Sequence, residues 1–209
     1  MYGLATFPCA VIFALLLNEL DSERYKKAVQ MLSYMPHFFS TVVVCGIIVL
    51  FLDRGSGVAN KILETMGFER IAFLSEPKLF PSIYVWSGVW QNLGWNSIIY
   101  LSALSAVSPE LIEAARIDGA NRFHIIWYVN LPTILPTVVT MLILSCGSLL
   151  SVGFEKVYLL QNSLNLDASE VISTYTYQIG LVGGQFSYSS AIGLFNTIAN
   201  VTLLAFVNT

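Results

Sequence analysis

In "SPELIEAARIDGANRFHIIWYVNLP", residues 108–132, two carboxylates and a guanidinium (Glu110, Glu113, Arg116) recur at one helical turn in a chain of which only 11% of residues are charged. Such a group can hold a metal, move a proton or make charge-assisted hydrogen bonds to a partner. Metal chemistry is disfavoured, because neither His37 nor His124 has a second His, Cys or carboxylate at ligand spacing. No nucleophile is accompanied by a base and a group to orient it, so the chain does not read as a catalyst. The island reads instead as a docking device.

The other reactive side chains narrow the field further. Cys9, Cys45 and Cys146 fall inside apolar stretches without paired spacing and read as small buried hydrophobes. Glu155 and Lys156 are neighbours and read as a surface ion pair. There is no Gly-x-x-x-x-Gly-Lys-Ser/Thr phosphate loop, and no Gly is followed by Lys, so ATP hydrolysis is expected elsewhere. A net charge of -3 offers no basic surface for nucleic acid. No cofactor is called for.

Local signals fold the charged island into an elbow. Ser108 is suited to cap a helix that starts at Pro109, with Glu110 and Glu113 in its first turns, where the helix dipole favours acids. Gly119 falls where a left-handed C-terminal cap is wanted, and Asn121 can cap a second helix running into "FHIIWYVNLP". Ala114 and Ala115 leave one face nearly bare, open to close approach by a neighbour. Pro132 and Pro136 mark the start of the next apolar segment.

The elements that hold this elbow are membrane-length. Hydrophobic residues make up 56% of the chain, and the charged share is about half that of a soluble domain. Uncharged runs at 1–18, 28–52, 79–109, 123–154 and 171–209 predict spans at 2–18, 29–52, 80–106, 130–152 and 188–208, since a bilayer core takes roughly 20 helical residues. Continuous apolar blocks exclude a barrel, whose strands alternate. The expectation is an all-α, polytopic transmembrane helical bundle forming one domain over 1–209, without repeats or linkers. Five Lys and Arg lie in the first and third connections (19–28, 107–129) and five in the second and fourth (53–79, 153–187). The first pair is shorter and hence more densely positive, which favours its placement in the cytoplasm. The first span lacks a translocation signal of its own, and "NTIANVTLLAFVNT" ends within an apolar run; a chain cut at both ends is the expectation.

A second candidate site lies in the third span, "YVWSGVWQNLGWNSIIY". Trp86 and Trp90 share one helical stripe, Asn92 and Asn96 another. Aromatic faces beside amides suit a sugar, whose apolar face stacks while its hydroxyls hydrogen-bond. The same residues also suit interfacial belts and interhelical bonds.

The full island pattern, Glu113-Ala114-Ala115, three residues, Gly119, nine residues, Val129-x-Leu131-Pro132, resembles the EAA loop of ABC-type importer permeases, and Asp118-Gly119-Ala120 resembles its carbohydrate-importer form. Val129 departs from the usual Ile. With "FPCAVIFALLLNEL", "SYMPHFFSTVVV", "VGFEKVYLLQN" and "GGQFSYSSAIGLF", nearly the whole chain resembles permeases of poly- or oligosaccharide importers of the lipoprotein-associated type. The resemblance implies the type I ABC importer permease fold, with about five of six spans here, and a coupling loop at about 107–132. Glu113, Ala114, Ala115, Asp118, Gly119, Leu131 and Pro132 would be its coupling residues. It also implies a second homologous permease, a nucleotide-binding ATPase dimer and an extracellular lipid-anchored sugar-binding protein. The site of action would be a bacterial plasma membrane, with lipid as solvent. The competing readings are a secondary transporter or channel, which would want ionisable residues within its spans, and a nonfunctional fragment. The five spans contain no Asp, Glu, Lys or Arg.

Overall fold

The computed structural model describes residues 2–147 and 152–207, and every regular element within those segments is a helix. Twelve α-helices follow in order: α1 Tyr2–Asn18, α2 Glu23–Tyr34, α3 Thr41–Leu52, α4 Val58–Thr65, α5 Phe80–Leu104, α6 Pro109–Ile117, α7 Arg122–Ile125, α8 Leu131–Cys146, α9 Phe154–Leu160, α10 Leu166–Ser169, α11 Ile172–Tyr177 and α12 Phe186–Val207. A 3-10 turn, Met35–Phe38, follows α2, and wide π turns occupy Ile126–Asn130 and Gln178–Val182.

Among the described residues, two helices are long and apolar enough to cross a membrane, Arg122–Cys146 and Phe186–Val207. The bent pairs Glu23–Phe38 with Thr41–Leu52 and Phe80–Leu104 with Pro109–Ile117 raise that to four, and Ala5–Asn18 is a shorter apolar helix. These five segments correspond to the five expected spans. The second differs from a single rod over 29–52. Pro36 cannot donate a backbone hydrogen bond, and Ser40 restarts the helix by accepting from the Val43 N–H at 3.4 Å. Residues 148–151, the end of the expected fourth span, and residue 208 at the end of the fifth lie outside the described residues.

Backbone contacts divide the chain into two compact units. The first comprises Met1–Phe38 and Gly88–Ser145. Its core joins Ala10, Val11, Ala14 and Leu15 of α1, Tyr100 and Leu104 of α5, Val107 beyond it, and Ile134 of α8. Ala10 and Ala14, one turn apart and fully covered, let backbones approach closely, the small-residue packing that membrane helices use in place of a hydrophobic drive. Gly94 makes a second close approach: a Cβ there would lie 2.3 Å from the Ser33 carbonyl oxygen and 2.7 Å from Tyr34 Cδ1.

The second unit comprises Phe39–Ser87 and Cys146–Thr209. Here α3 packs on α9, burying Val44, Cys45 and Ile48 against Val157 and Leu160. Buried asparagines close its irregular connections. The Asn60 amide donates to the carbonyls of Asp53 and Ile71 and accepts from the Ile71 N–H at 2.8 Å. Asn165 donates to the Leu74 and Leu160 carbonyls and accepts from Ser169 Oγ at 3.0 Å. Each amide replaces backbone partners that no helix supplies.

The Glu155–Lys156 surface pair expected from their adjacency does not form. Successive residues on a helix point about 100° apart, which leaves Glu155 exposed and Lys156 only 9% exposed. The ion pairs among the described residues are instead Arg70–Glu64 and Arg122–Asp21, both 2.7 Å.

Gly94→Ala should destabilise the detergent-solubilised chain by about 1–3 kcal/mol, because the overpacked contact is with backbone. Gly46→Ala, where no heavy atom lies within 4 Å of the added carbon, should leave chemical unfolding unchanged or slightly improved. Equal effects from the two substitutions would contradict the close approach at Gly94.

Candidate coupling and substrate sites

The elbow forms through the expected contacts. Ser108 Oγ accepts from the Glu110 N–H at 3.3 Å and Pro109 opens α6. At its end the Gly119 N–H donates to the Arg116 carbonyl (3.1 Å) and the Ala120 N–H to the Ala115 carbonyl (2.9 Å), the paired bonds of a Schellman cap. Gly119 has φ +85°, in the left-handed region that only glycine occupies without cost. Asn121 Oδ1 accepts from the His124 N–H at 2.9 Å and starts α7. The chain axis turns by 78° between Phe80–Leu104 and Pro109–Ile117.

The elbow is anchored on one side and bare on the other. Ile112 and Leu131 pack against the core of the first unit. Glu113, Ala114, Asp118, Gly119 and Pro132 are exposed and Ala115 is half-buried. Leu111, Ile117 and Phe123 are exposed beside them, Ile117 to 86%. An acid and three large apolar side chains facing outward on a tightly capped turn form a surface fit for another macromolecule.

A polar latch behind the elbow escaped the sequence reading. Arg122 Nη2 pairs with Asp21 at 2.7 Å while Nη1 donates to the Glu19 carbonyl at 3.2 Å. Asn130, almost wholly buried, donates through Nδ2 to Glu19 Oε1 at 3.0 Å, and its Oδ1 has no hydrogen-bond partner among the described residues. The second helix of the elbow and the wide turn after it are thus tied to the end of α1. Burial holds the Glu19 carboxyl above its ordinary range, and Arg122, Arg116 and the Asn130 bond oppose that shift. The available signal was a lone Asn inside an apolar run.

The four side chains of the other candidate site have separate fates. Trp86 and Trp90 are exposed, at 62% and 47%, and Asn96 is also exposed. Asn92 is half-buried: its Oδ1 lies 3.0 Å from His37 Nδ1, and its Nδ2 donates to the Gly88 carbonyl. The His37 ring stacks on Trp95 at 4.4 Å between centroids and 5° between planes, with Phe38 edge-on to both. A flat aromatic pair and an amide thus lie side by side, offering a stacking surface and hydrogen-bonding groups together. From the sequence His37 is weighed only as a metal ligand and Trp95 is passed over; the partnership of His37 with Asn92 spans 55 residues and has no local signal. Among the described residues, no group of three His, Cys, Asp or Glu side chains could hold a metal.

With this geometry in view, comparison with known proteins is informative. The family model described as "Binding-protein-dependent transport system inner membrane component" matches residues 6–208. Protein LplB of Bacillus subtilis is 41% identical over 201 residues, covering 96% of this chain and 63% of the relative. The polygalacturonan/rhamnogalacturonan transport system permease protein YteP of the same organism is 42% identical over 202 residues, covering 97% and 63%. The chain therefore spans 63% of the length of these curated relatives. Among solved structures, a bacterial ABC transporter involved in import of the acidic polysaccharide alginate matches with a TM-score of 0.94 and 40% identity, over 97% of this chain and 71% of that one. The alginate transporter in complex with an alginate pentasaccharide-bound periplasmic protein matches with a TM-score of 0.95 and 40% identity, over 99% and 73%.

A carboxyl whose folded-state pKa is raised binds its proton more readily in the native state than in the unfolded chain. The stability it contributes is full below the ordinary carboxylate range and falls as pH rises through the raised value. Glu19→Gln keeps an acceptor for Asn130 and removes that loss. The variant should gain stability relative to wild type between pH 4 and 7 in detergent unfolding, and a constant difference across that range would refute the assignment.

Proposed function

The chain belongs to the family of binding-protein-dependent transport system inner membrane components, and from that premise we propose that it forms one transmembrane half of an ATP-driven importer of oligo- or polysaccharides. The all-helical fold is that of an ABC importer permease, as its match to the alginate transporter shows. The reading rests on one observation above others: a doubly capped elbow that presents Glu113, Leu111 and Ile117 to solvent while its other face is fixed to the core.

In this reading residues 107–132 are the coupling loop of a single permease domain. The Glu113 carboxylate accepts charge-assisted hydrogen bonds from a basic group of a separate nucleotide-binding ATPase dimer, Ala114 and Ala115 allow close approach, and Gly119 with Asp118 makes the turn. Leu131 and Pro132 carry the loop back into α8. ATP hydrolysis belongs to that partner dimer. A second, homologous permease completes the path, and an extracellular lipid-anchored binding protein delivers the sugar. The whole sits in a bacterial plasma membrane as a multi-pass protein. Asn92, joined by His37 and Trp95, holds the sugar, with Trp86, Trp90 and Asn96 along the same helix as further lining.

Three measurements test this. A cysteine at Asn121 in sealed vesicles should react from the cytosolic side alone. Glu113→Ala should insert normally yet lose ATPase co-purification, or lower transport-coupled hydrolysis at least tenfold, in keeping with loss of about 1.5–3 kcal/mol; full activity removes Glu113 from the mechanism. Asn92→Ala should raise the KM for saccharide transport about tenfold with ATPase association intact, because a sugar hydroxyl loses its amide partner.

A further inference from the structure

Lys156 is the one cationic side chain among the described residues that is both nine-tenths buried and without a hydrogen-bond partner at its ammonium. It lies on α9, in the connection that follows the fourth span. Its Nζ stands 5.3 Å from the centre of the Tyr84 ring, near the start of α5, and Cys45 Sγ of α3 donates to its carbonyl at 4.0 Å. The helices packed against α9 are α3 and α11, and neither contains an Asp or Glu. On these neighbours the titratable groups are Cys45, Tyr84 and the tyrosines of α11. Glu155, on α9 itself, faces solvent and forms no ion pair with Lys156. Among the described residues, the ammonium is therefore buried beside an aromatic face with no carboxylate paired to it.

A buried charge without a partner is costly, and a position that keeps one is suited to receive an opposite charge from a ligand. We infer that Lys156 is the counter-charge for a carboxylate on the transported saccharide, so that the cargo class is uronate-containing and anionic. This rests on the importer reading above and names its substrate more closely. In the state described here the ammonium is enclosed between α9 and Tyr84, and burial lowers its pKa to about 8. A carboxylate entering as these elements part would restore the full charge, so binding near pH 8 takes up a proton.

The test uses the chain assembled with a second permease and an ATPase in nanodiscs. Tetragalacturonate and its fully methyl-esterified form, alike in shape but one anionic and the other neutral, are titrated calorimetrically at pH 8 in two buffers of different ionisation enthalpy. The acid should bind at least tenfold tighter than the ester, with uptake of about half a proton. Lys156→Met should bind both forms alike and exchange no proton. Lys156→Arg should keep the preference for the acid without proton uptake, since guanidinium stays charged. Equal binding of the two probes by wild type, binding of neither, or a preference that survives in Lys156→Met overturns the inference. A Lys156→Met chain that no longer joins the second permease assigns the ammonium to a partner carboxylate and overturns it likewise. Failure of the wild-type chain to co-purify with any ATPase is a separate outcome, which defeats the importer reading itself.

Discussion

Away from water, a backbone polar group that loses its helical partner must find another, and in this protein short polar side chains supply it at most breaks. Ser40 and Ser108 restart helices after interruptions, and Asn121 does so within the elbow. Asn60 and Asn165 knit the connections of the second unit with three and four bonds. The cost of an unmet donor or acceptor in an apolar setting is several kcal/mol, so these few residues decide where an otherwise featureless apolar chain can bend. Function gathers at the bends, because regular membrane helices offer lipid and neighbours only apolar faces.

The elbow shows how such a bend becomes a mechanical part. Its exposed side carries one acid and several large apolar groups; its inner side is held by Ile112 and Leu131 in the core and by the Arg122–Asp21 and Asn130–Glu19 contacts to α1. A force applied to Glu113 therefore reaches α1 and α8 through bonded groups. The exposed Arg122–Asp21 pair adds little to stability; its value lies in setting orientation, while the buried Asn130 amide carries the more costly contact.

What the sequence disclosed follows the range of the forces involved. The capped elbow was legible because Ser108, Pro109, Gly119 and Asn121 act within three or four residues of themselves. The apolar spans were legible from length alone. The break before α3 was missed because Pro36 sits inside an uncharged run, where hydropathy gives no hint of a bend. His37 with Asn92, Arg122 with Asp21 and Lys156 with Tyr84 are 55, 101 and 72 residues apart, and nothing local announces them. Adjacency even misled: Glu155 and Lys156 are neighbours in the chain and point different ways on the helix.

The wide turn at Ile126–Asn130 has a geometric result of its own. One extra residue accommodated in a helical turn offsets the facing of everything after it by about 100° relative to a regular helix. Phe123 and His124 can therefore belong to the outward elbow while Ile134, about three turns later on the same continuous rod, is sealed in the core. The insertion works as a phase shifter between two surfaces under different demands, one turned to solvent and one to helix packing. It allows either pattern of side chains to drift without rotating the other out of place.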